Sequence, residues 1–309
     1  MKLIAPDYCK QFSCIADKCR HSCCIGWEID IDDDTYNYYT SLDGQFGKRL
    51  ADNIVCLESS RHFKLSQNDR CPFLDANNLC GIITELGEDK LCQICADHPR
   101  YRNFFSDRIE IGLGLCCEEA ARLILTSQEQ TRLVLIDSDG IDNPCDESDN
   151  NFFALRNLLF DIIQNREYSI KDRIFSLCEV CEIEFLKKTP SEWADIYLNL
   201  EILDNSWTDE LNSLKNLENV PQYLFSSPEW EISFEQLLIY FIFRHTPDGL
   251  YDGRMKKRIA FAIYGLYIIC LLCAVKKTAS INDFLNIARM YSAEIEYCEN
   301  NMNKLLNIY

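Results

Sequence analysis

The cysteines of this chain fall into ordered groups. Cys14, Cys19, Cys23 and Cys24 read C-x4-C-x3-C-C, and Cys71, Cys80, Cys92 and Cys95 form a second group ending in a C-x2-C pair. Cys116 and Cys117 close a series that fills roughly the first 120 residues. Four soft donors within eleven residues, then four more within twenty-five, can supply tetrahedral thiolate sites. The stretch 9–24 has neither a helical nor a strand period, and metal bonds could fix such a loop where backbone pairing does not. Sulfur ligation is therefore specified more closely than the metal, since an iron–sulfur cluster and a zinc ion both take four thiolates. Side chains of adjacent cysteines diverge, so Cys23 and Cys24 would serve neighbouring sites or a cluster.

Eighteen cysteines in 309 residues would suggest disulfides in a secreted protein. The opening MKLIAPDYCK has no basic segment, no apolar core and no small-residue cleavage site, so a cytoplasmic, reducing setting is expected. There, clustered thiols bind metal or do redox work. The net charge of −18 excludes nucleic acid as an expected partner, because no excess of cations is available to neutralise phosphates. It favours a cationic or lysine-bearing partner.

Patterning divides the chain into a cysteine-rich metal domain over 1–136, an acidic linker over 137–149 and a helical domain over 150–309. The expected fold class is mainly α: a cysteine-rich, metal-binding amino-terminal domain with a few short strands, then an all-α carboxy-terminal domain. Gly26–Asp32 alternates apolar and polar residues and predicts a strand, with Trp27, Ile29 and Ile31 inward and Glu28, Asp30 and Asp32 outward. Asp33 or Asp34 would cap a helix through Tyr36, Tyr38 and Tyr39. Cys80–Leu86 predicts a short helix ended by Gly87, Arg108–Leu115 a strand, and Glu118–Ser127 a helix. Later helices are expected over about 150–165, 169–188, 190–203, 229–245, 253–276 and 281–306, with Pro190, Pro221, Pro228, Pro247, Gly249 and Gly253 at the breaks. The apolar run Ile259–Val275, flanked by Lys256-Lys257-Arg258 and Lys276-Lys277, is marginal against the ~20 residues of a membrane span. A buried core helix is expected, and no span.

Eight of the eighteen cysteines have a plainer reading. Cys178 with Cys181, and Cys270 with Cys273, sit at i, i+3 in apolar helices, where a free thiol behaves as a small hydrophobe. Cys9, Cys56, Cys145 and Cys298 are isolated. His21 and His98 lie beside cysteines and could ligate, although loop polarity accounts for them equally well.

These residues resemble a known family. The segment Pro6–Tyr39 (PDY, then F-x-C-x4-C-x3-CC-x-GW-x-IDID-x2-TY), the CPFL of Cys71–Leu74, the LCxxC of Leu91–Cys95, Pro99-Arg100 and Cys117-x-Glu119-Ala120-Ala121-Arg122-Leu123 are similar to the flagellin lysine-N-methylase family. That family is related to CxxCxxCC-type zinc- or iron-chelating domains. The likeness is dense over 1–125 and diffuse beyond. It implies S-adenosylmethionine-dependent N-methylation of lysines on flagellin or another lysine-bearing protein. It also implies an iron–sulfur cluster (4Fe-4S, with zinc as the alternative) on Cys14, Cys19, Cys23, Cys24, Cys71, Cys80, Cys92, Cys95 and Cys117. Cys116, Glu118 and His98 depart from the family pattern, and none of them removes a ligand.

The residues themselves say less about methyl transfer. Glu110-Ile-Gly112-Leu-Gly114-Leu lacks the third glycine and the βαβ setting of a dinucleotide loop. The C-x3-C-x2-C triad of radical S-adenosylmethionine enzymes is absent, because after Cys19 and Cys23 that spacing falls on Gly26. Glu28, Asp30 and Asp32 could receive a substrate ammonium or its proton; a solvated strand face is the plainer account. A non-enzymatic module for metal sequestration, delivery or redox sensing is the alternative function.

Overall fold

The structure is a computed structural model describing residues 1–57, 60–221, 224–225, 230–276 and 280–309. Pro228, Lys277 and the start of the helix expected over 229–245 lie outside the described residues. After a first strand, β1 (Lys2–Pro6), the chain builds a separate unit from Ser13–Tyr101 before returning for Arg102–Tyr309, which clusters with Met1–Phe12.

In the Ser13–Tyr101 unit, helices α1 (Asp33–Ser41) and α2 (Gly44–Asp52) precede an antiparallel ladder of β2 (Ile54–Cys56) and β3 (Arg61–Phe63). Two short helices follow, α3 (Gly81–Leu86) and α4 (Gln93–Asp97). The expected strand at Gly26–Asp32 is not regular. Ile29 and Ile31 are buried and Glu28 and Asp30 exposed, as alternation requires. Pairing, however, is limited to a bridge of Asp30 opposite His62, with Ile31 N–H donating to Arg61 O at 2.8 Å and Phe63 N–H donating to Ile29 O at 3.1 Å. The cap of α1 is Asp32, not Asp33 or Asp34: its carboxylate accepts from Thr35 N–H at 2.9 Å. Tyr39, Leu50, Phe63, Phe73 and Ile82 form the unit's core, with Phe63 and Phe73 edge-to-face at 4.9 Å.

The second unit opens on a four-stranded sheet. Strand β4 (Arg100–Phe104) enters it, β5 (Arg108–Leu113) follows, then helix α5 (Glu118–Leu125) and strand β6 (Leu133–Ser138), in the order β4-β5-β1-β6. β1 runs parallel to β5 and antiparallel to β6. The expected strand at 108–115 and helix at 118–127 are present as β5 and α5; β1, β4 and β6 are additional strands. Residues 137–149 belong to this unit by their contacts, which divide the chain after Phe12 and Tyr101. α6 (Glu147–Ile163) is tied to the sheet by Arg156, whose guanidinium donates to both Glu110 oxygens at 2.5 and 2.7 Å, fully buried.

The helices continue as α7 (Ile170–Val180), α8 (Pro190–Leu198), α9 (Asn205–Ser213), α10 (Glu231–His245), α11 (Gly249–Asp252) and α12 (Met255–Val275). α7 stops short of 188 because Glu182 adopts a positive φ of 52°. α9 is a further helix, capped by Asp204. α12 holds the apolar run, and 89% of its most apolar window is buried within the protein. It is a core helix, apolar on every side because α10 and other helices surround it. Gly265 permits that approach, since a Cβ there would lie 2.9 Å from the Phe241 ring. The long helix expected over 281–306 is divided into α13 (Ile281–Tyr291), a π-helical turn at Ser292–Glu296 and α14 (Glu299–Ile308).

Candidate metal centre

Three chain segments bring five thiols into the core of the Ser13–Tyr101 unit. Cys71 is drawn to the first cysteine group by its N–H, which donates to Cys24 O at 2.8 Å beside the Ile25–Arg70 bridge. Cys80 precedes α3 and is held by a bridge to Leu74 and by Gly81 N–H donating to Phe73 O at 2.7 Å. Cys92 precedes α4, and Cys95 N–H donates to Cys92 O at 3.0 Å within that turn. Cys71 and Cys92 are buried, while Cys24, Cys80 and Cys95 are half-buried against the same aromatic core. Tyr39, a member of that core, donates to Lys90 O at 2.7 Å.

The thiols interact electrostatically. The Cys23 hydrogen bond holds Cys24 down at about 7 against the opposing effect of burial, helped by Ser22 and Arg70. Burial pushes Cys71 up to about 12 and raises Cys80. Cys92 is lowered by its hydrogen bond with Cys95, and Cys95 is raised by the same bond, by burial and by the nearby thiols. Five neighbouring thiols cannot all ionise in an apolar core without a cation, and a coordinating metal deprotonates thiols outright. The donor set is thus right in kind for a thiolate-bound metal. Among the described residues, however, no group of three or more His, Cys, Asp or Glu side chains has closed into ion-holding geometry. The thiols are neighbours rather than a formed coordination sphere.

The remaining sequence candidates lie elsewhere. Cys14 and Cys23 are exposed and Cys19 is half-buried in the same unit, outside the buried cluster, although the Cys23 thiol reaches that of Cys24 by a hydrogen bond. Cys117 belongs to the other unit, at the amino-terminal cap of α5. His98, half-buried near Trp27, is lowered to about 4 by loss of solvent around the ring. Cys270 and Cys273 are buried in α12, and Cys178 and Cys181 are half-buried at the end of α7.

Of Glu28, Asp30 and Asp32, the first and last already have partners. Glu28 lies 2.9 Å from His62 Nδ1. Asp32 Oδ2 accepts from Gln93 N–H at 2.8 Å and from Thr35 Oγ1 at 2.9 Å. Burial disfavours its charge, but these hydrogen bonds prevail and its pKa falls below the ordinary value.

The other unit has a polar cluster that the sequence pattern did not reveal. Glu296 Oε2 accepts from Tyr240 Oη at 2.8 Å and lies 2.8 Å from His245 Nε2 and 3.2 Å from Arg244 Nε. Its signal was a histidine and a glutamate inside apolar helices, easily taken for solvent-facing positions. Gly114, part of the G-x-G motif, serves this cluster: a Cβ there would meet Tyr297 Oη at 2.1 Å. Its smallness admits a tyrosine, which accounts for the glycine without a nucleotide.

Fold and thiol core together define a mainly helical protein with a cysteine-rich unit. No family model and no solved structure matches the chain. Over 134 residues, 41% of the chain, it is 31% identical to flagellar biosynthetic protein FliU of Salmonella muenchen, covering 79% of that protein. It is likewise 31% identical over 134 residues to the lysine-N-methylases of Salmonella typhimurium and Salmonella choleraesuis, spanning 33% of each. The chain belongs to the family of these proteins, the flagellin lysine methylases.

Proposed function

We propose that this chain is a protein-lysine N-methyltransferase acting on flagellin or a similar lysine-bearing protein, with S-adenosylmethionine as donor and a cysteine-bound iron–sulfur cluster. The observation that carries the reading is kinship with proteins named lysine-N-methylase. The gathering of Cys24, Cys71, Cys80, Cys92 and Cys95 in one core supports the metal. A cluster takes four thiolates, which these five thiols would supply between them; Cys14, Cys19 and Cys23, and Cys117 in the other unit, are the further ligands that family resemblance implies. A bound cluster would supply either a brace for the fold or one-electron chemistry.

The chain's own residues prepare this site. Phe63, Phe73 and Tyr39 share the core against which the thiols pack, and Asp32 anchors the start of α4 beside Cys92. A lysine amine must lose its proton before acting as a nucleophile. Glu28 and Asp30, unlike Asp32, keep the exposure needed to meet an ammonium.

The test is mass spectrometry of flagellin incubated with anaerobically purified protein and S-adenosylmethionine. The expected result is the mass gain of a methyl group on lysine, from a protein containing iron and sulfide. A colourless protein carrying only zinc would overturn the cluster and spare the thiol assignment. A second reading, a metal-binding module without transferase activity, is favoured by the chain spanning only 33% of the lysine-N-methylase relatives. Unmodified flagellin with fully metallated protein would establish it.

A further inference from the structure

The outer edge of β6 is unusual for a natural sheet. β6 ends the order β4-β5-β1-β6, so no strand pairs with its far side among the described residues. Exposed edges are normally blunted by lysine, proline, an inward charge or a bulge. The segment Leu133-Val134-Leu135-Ile136 has no charge and no proline, and a bulge is the one such device it carries. Leu135 and Ile136 are 55% and 41% exposed, although consecutive strand residues ordinarily point to opposite faces. The register explains the pair: Leu3 faces Asp137 and Ile4 faces Leu135, leaving Ile136 as the extra residue of a bulge.

The apolar edge leads directly into carboxylates. From Leu133 to Leu155 there is no lysine or arginine, while Asp137, Asp139, Asp142, Asp146, Glu147 and Asp149 all fall within 137–149. Three are engaged: Asp139 by the Met1 amino group, Asp142 by Lys2 Nζ at 2.7 Å, and Asp149 by Ser106. Asp137, Asp146 and Glu147 are exposed and have no cationic partner among the described residues. An unpaired backbone edge, two adjacent apolar side chains and surplus negative charge select a specific occupant.

We propose that β6 is a docking strand, adding to its outer edge an extended polypeptide segment that carries lysines. Main-chain hydrogen bonds would give the affinity, Leu135 and Ile136 the apolar contact, and Asp137 with its acidic neighbours the preference for cationic side chains. A second copy of this chain is a poorer occupant, because each copy carries a net charge of −18 and an acidic segment beside the edge. That the occupant is a substrate rests on the methylase reading; strand addition and its charge preference do not.

The test measures binding by the full chain without methyl donor, using a labelled peptide alternating lysine with valine. Binding should weaken with salt and protect the amides of 133–138 from hydrogen exchange. Leu135→Lys and Ile136→Lys should each weaken it by about tenfold or more. Both side chains are well exposed, so folding should survive, as circular dichroism would verify. Asp137→Lys should also weaken binding, without touching the apolar contact. Equal binding of a glutamate–valine peptide or of a backbone N-methylated lysine peptide would overturn the proposal. So would protection confined to other segments, or a concentration-dependent dimer that Ile136→Lys dissolves. A peptide that binds as described but is never methylated would sink the methylase reading alone.

Discussion

Asp32 Oδ2 accepts the backbone N–H of Gln93 at 2.8 Å, while its other oxygen accepts that of Thr35 at 2.9 Å. One carboxylate thereby satisfies the starts of two helices, α1 and the short α4 that carries Cys95. Helix starts leave N–H groups without intrahelical partners, and a carboxylate supplies both acceptor and favourable charge. Asp32→Ala should cost about 1–2 kcal/mol of unfolding free energy, and Asp32→Asn less, since an amide oxygen still caps. Urea denaturation of the three proteins measures this. Equal stability of Asp32→Ala and the parent would mean that the carboxylate does not join the helices.

The thiol core separates two kinds of cysteine. Cys71→Ser and Cys92→Ser should lower bound metal and destabilise the Ser13–Tyr101 unit, because metal binding and folding are coupled. Cys270→Ser, in the apolar interior of α12, should leave metal content unchanged. Metal analysis of the purified variants decides it, and metal loss in Cys270→Ser would mean the helical thiols had been misassigned.

Gly114 and Tyr297 should behave as a pair. A methyl group at Gly114 would lie 2.1 Å from Tyr297 Oη and 3.0 Å from Arg244 Nη1, so Gly114→Ala should cost about 1–3 kcal/mol through overpacking. Tyr297→Phe removes the most crowded atom, and Gly114→Ala should cost less in that background. A double-mutant cycle measures the coupling; strictly additive losses would place the strain elsewhere.

His245 gives the protein a pH dependence whose sign follows from burial. Burial lowers its pKa; Glu296 and Asp248 oppose the shift and Arg244 adds to it, and the net value stays below ordinary. The unfolded chain therefore takes a proton near pH ~6.5 while the folded chain does not. The stabilisation is complete above that pH and declines as pH falls from about 6.5 toward the folded pKa, below which it levels off. Denaturation between about pH 8 and 5 should show this decline, reduced in His245→Gln. An identical slope in the variant would assign the decline to other groups.

Much of this was legible in one dimension. Helical period located α6, α10 and α12, and strand alternation sorted Ile29 and Ile31 inward from Glu28 and Asp30. The C-x2-C spacing pointed to Cys92 and Cys95. Such patterns report which side of a segment faces inward, and a segment's own spacing is sufficient for that. They could not show that α7 ends at a residue of positive φ, or that the helix after Ile281 passes through a π-helical turn. Local propensity there favours simple continuation.

The sequence by itself determined that this is a mainly helical chain with a cysteine-rich unit, because periodicity and composition are local properties. Tertiary structure decided that Cys24, Cys71, Cys80, Cys92 and Cys95 share a core while Cys14 and Cys23 lie exposed. It also turned Asp32 into a clamp on Gln93 and made room for Tyr297 at Gly114. Each of these depends on which distant segments meet once loops close. That choice is set by the packing of the whole unit and the satisfaction of its buried polar groups, and no single segment's pattern contains it.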